Sequence, residues 1–242
     1  MNVSVTGPSI VFEIPIFGGI PVSETIVNSW IVMLVITLLC FWLTRGLTVR
    51  NPKRKQVVAE KLVTMVYDMV RDTMGERNMC FAPYIGTLFT FSILGSLSGL
   101  TGLRALTGDL NTTLGWALAT FFLVQFVAIR HKGFLGWLKG FTEPVVLMTP
   151  LNIISEVANP ISMAFRHFGN IASGIVITAL VYGALAALSQ AVIGWIPVIG
   201  NIPIFQVGIP AFLSIYFDVF TSILKANIIS MLTMVFVSSA NE

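Results

Sequence analysis

Residues 25–44, TIVNSWIVMLVITLLCFWLT, run for twenty positions without a formal charge. Roughly 20 mainly apolar residues in a helix are what about 30 Å of hydrocarbon requires. A helix on the surface of a water-soluble domain needs a polar face instead. The shortage of charge extends along the chain: of 242 residues 10% are charged and 55% hydrophobic, with a mean hydropathy of +0.88. Soluble domains carry about 25% charged residues. The chain is therefore read as all-α and polytopic, a single membrane domain over 1–242 with about five spans.

Charge asymmetry orients those spans. Residues 1–24, an external N-terminal segment, hold Glu13 and Glu24 but no Lys or Arg, so the basic n-region of a signal peptide is missing. Directly after the first span come Arg45, Arg50, Lys53, Arg54, Lys55 and Lys61. The positive-inside rule puts the N-terminus outside and segment 45–82 in the cytoplasm. Spans over 83–103 and 114–129 (together segment 83–130) lead to Arg130, His131, Lys132 and Lys139, again basic on the inner side, with an interfacial segment over 131–144. His131 is read at headgroup level. In the external loop Asp109 or Asn111 is placed to cap the next helix, and Gly95 with Gly99 offers a small-residue face to a neighbouring helix. The net charge of +3 and pI near 9.0 arise from these clusters, which suit lipid headgroups and not nucleic acid.

Residues 56–77 differ in kind. Val57, Val58, Leu62, Met65, Val66, Met69 and Val70 recur at helical spacing, with Glu60, Lys61, Asp68, Arg71 and Asp72 on the other side. This is an amphipathic helix lying on the membrane or against a partner, the alternative being a small helix in a soluble loop.

Segment 145–242 forms a long helical hairpin. Its apolar stretches, 145–198 and 204–239, are separated by Gly194, Pro197, Gly200, Asn201 and Pro203. As a helix, 210–239 is about 45 Å long, which exceeds the hydrocarbon and demands tilt or projection. Pro144, Pro150 and Pro160 mark starts or bends of the first stretch. The C-terminus then lies inside.

Glu156, Arg166, Asp218 and Lys225 fall within this hairpin. A charge at mid-membrane costs about 2.5–3.5 kcal/mol on insertion scales, so such residues mark ion routes or form buried structural pairs. Arg166 cannot deprotonate, and so serves as a fixed positive barrier or an attractor for a carboxylate, not as a relay. Ser162, Arg166, Asn170 and Ser173 make a polar stripe at helical spacing. The partner stripe is Ser214, Asp218, Thr221 or Ser222, and Lys225; Asp218 and Lys225 each admit a relay or a structural role. His167 points about 100° away from Arg166 and is read as packing.

Cys40 lies in an apolar run and Cys80 after a charged stretch, so no disulfide is expected. No phosphate loop, metal-ligand cluster or nucleophile motif is visible, and the chain is expected to bind no cofactor or metal and to have no catalytic centre of its own.

The run Pro160-Ile-Ser162-Met-Ala-Phe-Arg166-His-Phe168-Gly169-Asn170 resembles the signature of the F-type ATP synthase a subunit, in which Pro-x-Ser leads to Arg-x-Phe-Gly-Asn. Asp109-Leu110-Asn111, the segment His131–Phe134 and the polar tail after the last helix agree with it. The resemblance covers nearly the whole chain and implies a bacterial plasma-membrane stator against which a ring of c subunits turns. It also implies a b-subunit peripheral stalk and, indirectly, the soluble catalytic ATPase sector as partners. Two offset half-channels would bring protons or sodium ions to a ring carboxylate, each ion supplying about 2.3 kcal/mol per 100 mV. Arg166 matches the family's essential arginine and Asn170 a polar partner beside it.

Three positions depart from the family pattern. Ile175 stands nine residues after the arginine, where an acidic residue or histidine is frequent, leaving Asp218 to relay alone. Lys225 stands where most members have Gln, and Asn152 where an acidic residue is usual, with Glu156 one turn later. The second cation is expected to resist protonation of the ring carboxylate unless Asp218 or Glu156 offsets it. Two rivals are a stand-alone secondary transporter, which predicts internal repeats, and an anchoring or assembly factor. Neither accounts for the Arg-x-Phe-Gly-Asn setting.

Overall fold

The apolar runs become helices with their large side chains outward and their small polar ones inward. In the computed structural model, residues 9–15, 20–49, 52–101, 106–142, 145–193 and 209–241 are described. Among them a β-hairpin, β1 (Ile10–Ile14) and β2 (Ile20–Ser23), precedes helices α1 (Glu24–Thr44), α2 (Arg54–Met74), α3 (Ala82–Leu97), α4 (Leu110–Gly140), α5 (Thr149–Ile193) and α6 (Ile209–Ala240). Short 3-10 turns fill in at Glu76–Phe81, Ser98–Thr101, Leu106–Gly108 and Val146–Met148.

The chain is an all-α polytopic membrane protein. The stretches Glu24–Thr44, Glu76–Thr101, Leu110–Gly140 and Val219–Ala240 are long and apolar enough to cross a membrane, and α5 contains a shorter apolar section, Ala179–Ala191. Leu34, Leu38, Phe41 and Trp42 of α1 are exposed, as are Phe122, Phe126, Phe165 and Leu180, while Thr25, Ser92, Thr113, Thr120, Ser222, Ser230 and Thr233 are buried. Lipid chains solvate large apolar side chains as well as a protein core does. Helix contacts in a bilayer therefore favour small residues that let backbones approach. At 45 residues α5 extends about 67 Å if straight, so it must tilt or project beyond the hydrocarbon. The turn expected at 194–203 lies outside the described residues.

One end of the bundle is basic. There the last turns of α2 dock against the chain itself: Val70 and Met74 pack with Ala82 and Ile85 of α3, Val127 of α4, and Met234 and Val237 of α6. The earlier turns of α2 keep Val57, Val58, Leu62 and Val63 exposed. The amphipathic helix is thus held by its own bundle at one end and presents its apolar stripe at the other. Asn78 donates from Nδ2 to the Met74 carbonyl and accepts from Asn241 Nδ2, tying the end of α6 to the same corner. His131 lies 3.4 Å from an Arg77 guanidinium nitrogen.

At the opposite end, β1 and β2 pair antiparallel, and the Glu24 amide donates to the Ser9 carbonyl at the start of α1. This hairpin has little sequence signal, its strands being five and four residues long. Gly95 meets Leu106 of the returning loop, whose Cδ1 lies 2.9 Å from where a Cβ would sit. Asp109 caps α4 by accepting from the Asn111 amide (3.0 Å) and, buried, accepts from Thr25 Oγ1 at 2.6 Å. That single carboxylate joins α1 to the α3–α4 connection. Asp109→Ala should cost about 2 kcal/mol of bundle stability, read as a lower thermal midpoint in detergent, and Asp109→Asn should lose less. An unchanged midpoint in Asp109→Ala would overturn the assignment.

α4 breaks at Gly133, where φ is 73° and ψ is 162°, so residues 134–140 form a separate helical piece after the span. A side chain at this φ is strained, which is why a glycine makes the break.

Candidate functional site

Arg166 and Asn170 are one turn apart on α5, and Met163 precedes Arg166 by three residues, so helical periodicity places all three on one face. On α6 the corresponding face carries Lys225, Ile228, Ile229 and Leu232. These seven residues line one crevice of about 10 Å³ between the helices. A site needs roughly 10–15 Å³ to hold a water, so the space is close-fitting, with two cationic side chains and an amide set among Ile, Leu and Met. Arg166 and Asn170 are exposed, and so are Ile161, Phe165, Phe220, Ile223 and Leu224 around them. Among the described residues the ion pair is Arg71–Asp68, on α2. No described carboxylate pairs with Arg166. A permanent cation therefore stands on an apolar outer surface of the bundle.

A second space, about 460 Å³, opens between α4, α5 and α6 toward the basic end. Gln125, Lys132 and Trp137 line it from α4, Asn152, Ser155, Glu156 and Asn159 from α5, and Ser239 from α6. Gln125 Nε2 donates to Glu156 Oε1, and Trp137 Nε1 donates to Gln125 Oε1 at 2.8 Å. Asn152 Nδ2 donates to the Phe141 carbonyl at 2.9 Å. Met163, 5% exposed, lines both this cavity and the arginine crevice and forms the partition between them.

The expected site residues divide accordingly. Arg166, Asn170 and Lys225 come together in the crevice. Glu156 lies in the cavity, about 15 Å along α5 from Arg166. Ser173 is exposed one turn beyond Asn170, whose carbonyl accepts from its hydroxyl at 3.2 Å. Ser222 is buried in the bundle and lines neither space. Asp218 falls within α6, but its side chain, like that of His167, lies outside the described residues. Gln125, Trp137 and Met163 were not expected. An amide in the middle of an apolar span was the available signal for Gln125.

A fixed cation on an apolar outer face beside a polar cavity is an arrangement that can steer an ion. A family model described as ATP synthase A chain matches residues 26–238. The chain belongs to that family. A sodium ion specific ATP synthase subunit a from Propionigenium modestum is 31% identical over 98% of this chain and 86% of its own length. An ATP synthase subunit a 2 of Bradyrhizobium is 37% identical over 71% of this chain and 76% of its own. One of Crocosphaera subtropica, an ATP synthase subunit a 1, is 31% identical over 91% and 87%. As a member of the ATP synthase A chain family, this is an ion-translocating membrane subunit of the F-type complex, not catalytic by itself.

Proposed function

We propose that this chain is the stator of a bacterial plasma-membrane ATP synthase, and that the α5–α6 face around Arg166 lies against the rotating c-ring. Arg166 carries the reading: it is exposed on an apolar surface, and no carboxylate among the described residues pairs with it. A carboxylate brought by another chain at the same depth pairs with it. The ionised ring carboxylate is attracted to Arg166, releases its ion there, and is protonated or loaded with sodium again after passing. Lys225 adds a second positive charge, and Asn170 supplies a neutral amide beside the pair.

The cavity holding Glu156 acts as the inner half-channel, supported by its opening toward Lys132 and the end of α6. Met163 closes it off from the arginine, so an ion reaches the ring sideways and not along α5. Asp218, seven residues before Lys225 on α6, serves the outer half-channel. Ser173 and Ser222 are assigned to its lining. The basic segments support a topology with the N-terminus outside and the C-terminus in the cytoplasm. The exposed apolar stripe of α2 faces lipid and the b-subunit stalk, through which the soluble ATPase sector is held.

The test is a mild-detergent pull-down of the tagged chain from its native membrane, with ATP-driven uptake measured in vesicles using a pH dye and radiolabelled sodium. Recovery of a small-subunit ring and an active ATPase is the expected result. A stable chain isolated without either would overturn the stator reading and favour an independent transporter.

A further inference from the structure

α4 does something its sequence does not suggest: it folds back on itself. On a straight helix the twelve residues from Gln125 to Trp137 span about 18 Å, too far for any side-chain contact. The break at Gly133 returns the indole to within 2.8 Å of the Gln125 amide oxygen. Indole N–H donates and cannot accept. It therefore fixes which end of the Gln125 amide is the oxygen and turns the NH₂ toward α5. There the NH₂ meets Glu156 Oε1.

The neighbouring residues leave Glu156 as the acidic group of this space. Asn152 is occupied with the Phe141 carbonyl. Among the residues lining the cavity the ionisable ones are Glu156 and Lys132, and Phe236, Ser239 and Ala240 from α6 bring none. Pro160 lacks an N–H, so the backbone carbonyl of Glu156 loses its usual helical donor.

We infer that Gln125 is a positioning residue of the inner half-channel, turned by Trp137 so that it holds the Glu156 carboxylate in place as the ion-accepting group of the cavity. The inference rests on the stator reading and extends it to residues outside the arginine motif. The amide N–H is the donor that a carboxylate oxygen accepts from, and removing it leaves the Glu156 side chain without the contact that orients it.

The experiment uses inverted membrane vesicles carrying the whole synthase, in which the bulk solution addresses the basic end. ATP-driven uptake is followed by its initial rate. In Gln125→Leu uptake should fall about tenfold, and in Trp137→Phe it should fall by less. Glu156→Gln should lower uptake, and adding Gln125→Leu to it should cause no further loss. Subunit recovery checks assembly, and Trp137→Phe, which preserves bulk, keeps the test open if Gln125→Leu assembles poorly. An unchanged uptake rate in both single variants, or losses that multiply in the double variant, would overturn the inference. If Glu156→Gln pumps normally while Arg166→Gln does not, the inference fails and the stator reading stands. If Arg166→Gln pumps normally, both fall.

Discussion

Vesicles carrying Arg166→Gln should lose coupled ion uptake by about 100-fold or more, while the complex still assembles and hydrolyses ATP. The magnitude follows from the about 2.5–3.5 kcal/mol at stake for a charge at this depth, at about 1.4 kcal/mol for each factor of ten. Arg166 sits on the exposed face of α5 and makes no ion pair with a described carboxylate. The same change removes the fixed positive barrier, and passive leak through the membrane sector should rise. Arg166→Lys keeps the charge but loses the planar fork and its width, and should recover only part of the uptake. Coupled transport at the native rate in Arg166→Gln would refute the role given to the crevice.

The second large effect is expected at Lys225. It lines the crevice with Arg166 and Asn170, so under the proposed stator reading a visiting carboxylate would meet two cations. An opposite charge within about 4–6 Å lowers a carboxyl pKa by roughly 1–3 units. Lys225→Gln removes one of the two, the ring carboxylate becomes easier to protonate, and the pH of half-maximal uptake should shift up by about one unit. The sign is fixed: a cation stabilises the charged form, so its loss moves protonation to higher pH. An unchanged rate and pH profile in Lys225→Gln would remove Lys225 from the ion path.

Much of this architecture was legible in the residues because bilayer thickness and charge placement act on long segments. The first span matches α1 to within one residue, and the Asp109 cap follows from its place before an apolar run. The Arg166–Asn170 face follows from helical spacing alone. What remained hidden depends on single residues and long-range contacts. Gly133 looks like one glycine among twenty, yet its positive φ redirects Trp137. Met163 reads as an ordinary core residue until two cavities are found to share it. Gln125 stood in plain view as an amide in an apolar span, but nothing local says that it meets α5.

The corner where Asn241 and Asn78 meet also carries load. In the proposed stator, a ring dragged past Arg166 and Lys225 would push sideways on α5 and α6. On α6 that push is levered about the end packed against Val70, Met74, Ala82 and Ile85. The helix is therefore clamped like a beam built into a wall, with α2 and α3 as the masonry. Since α2 reaches outward from this clamp, torque generated within the membrane leaves the subunit along its amphipathic helix.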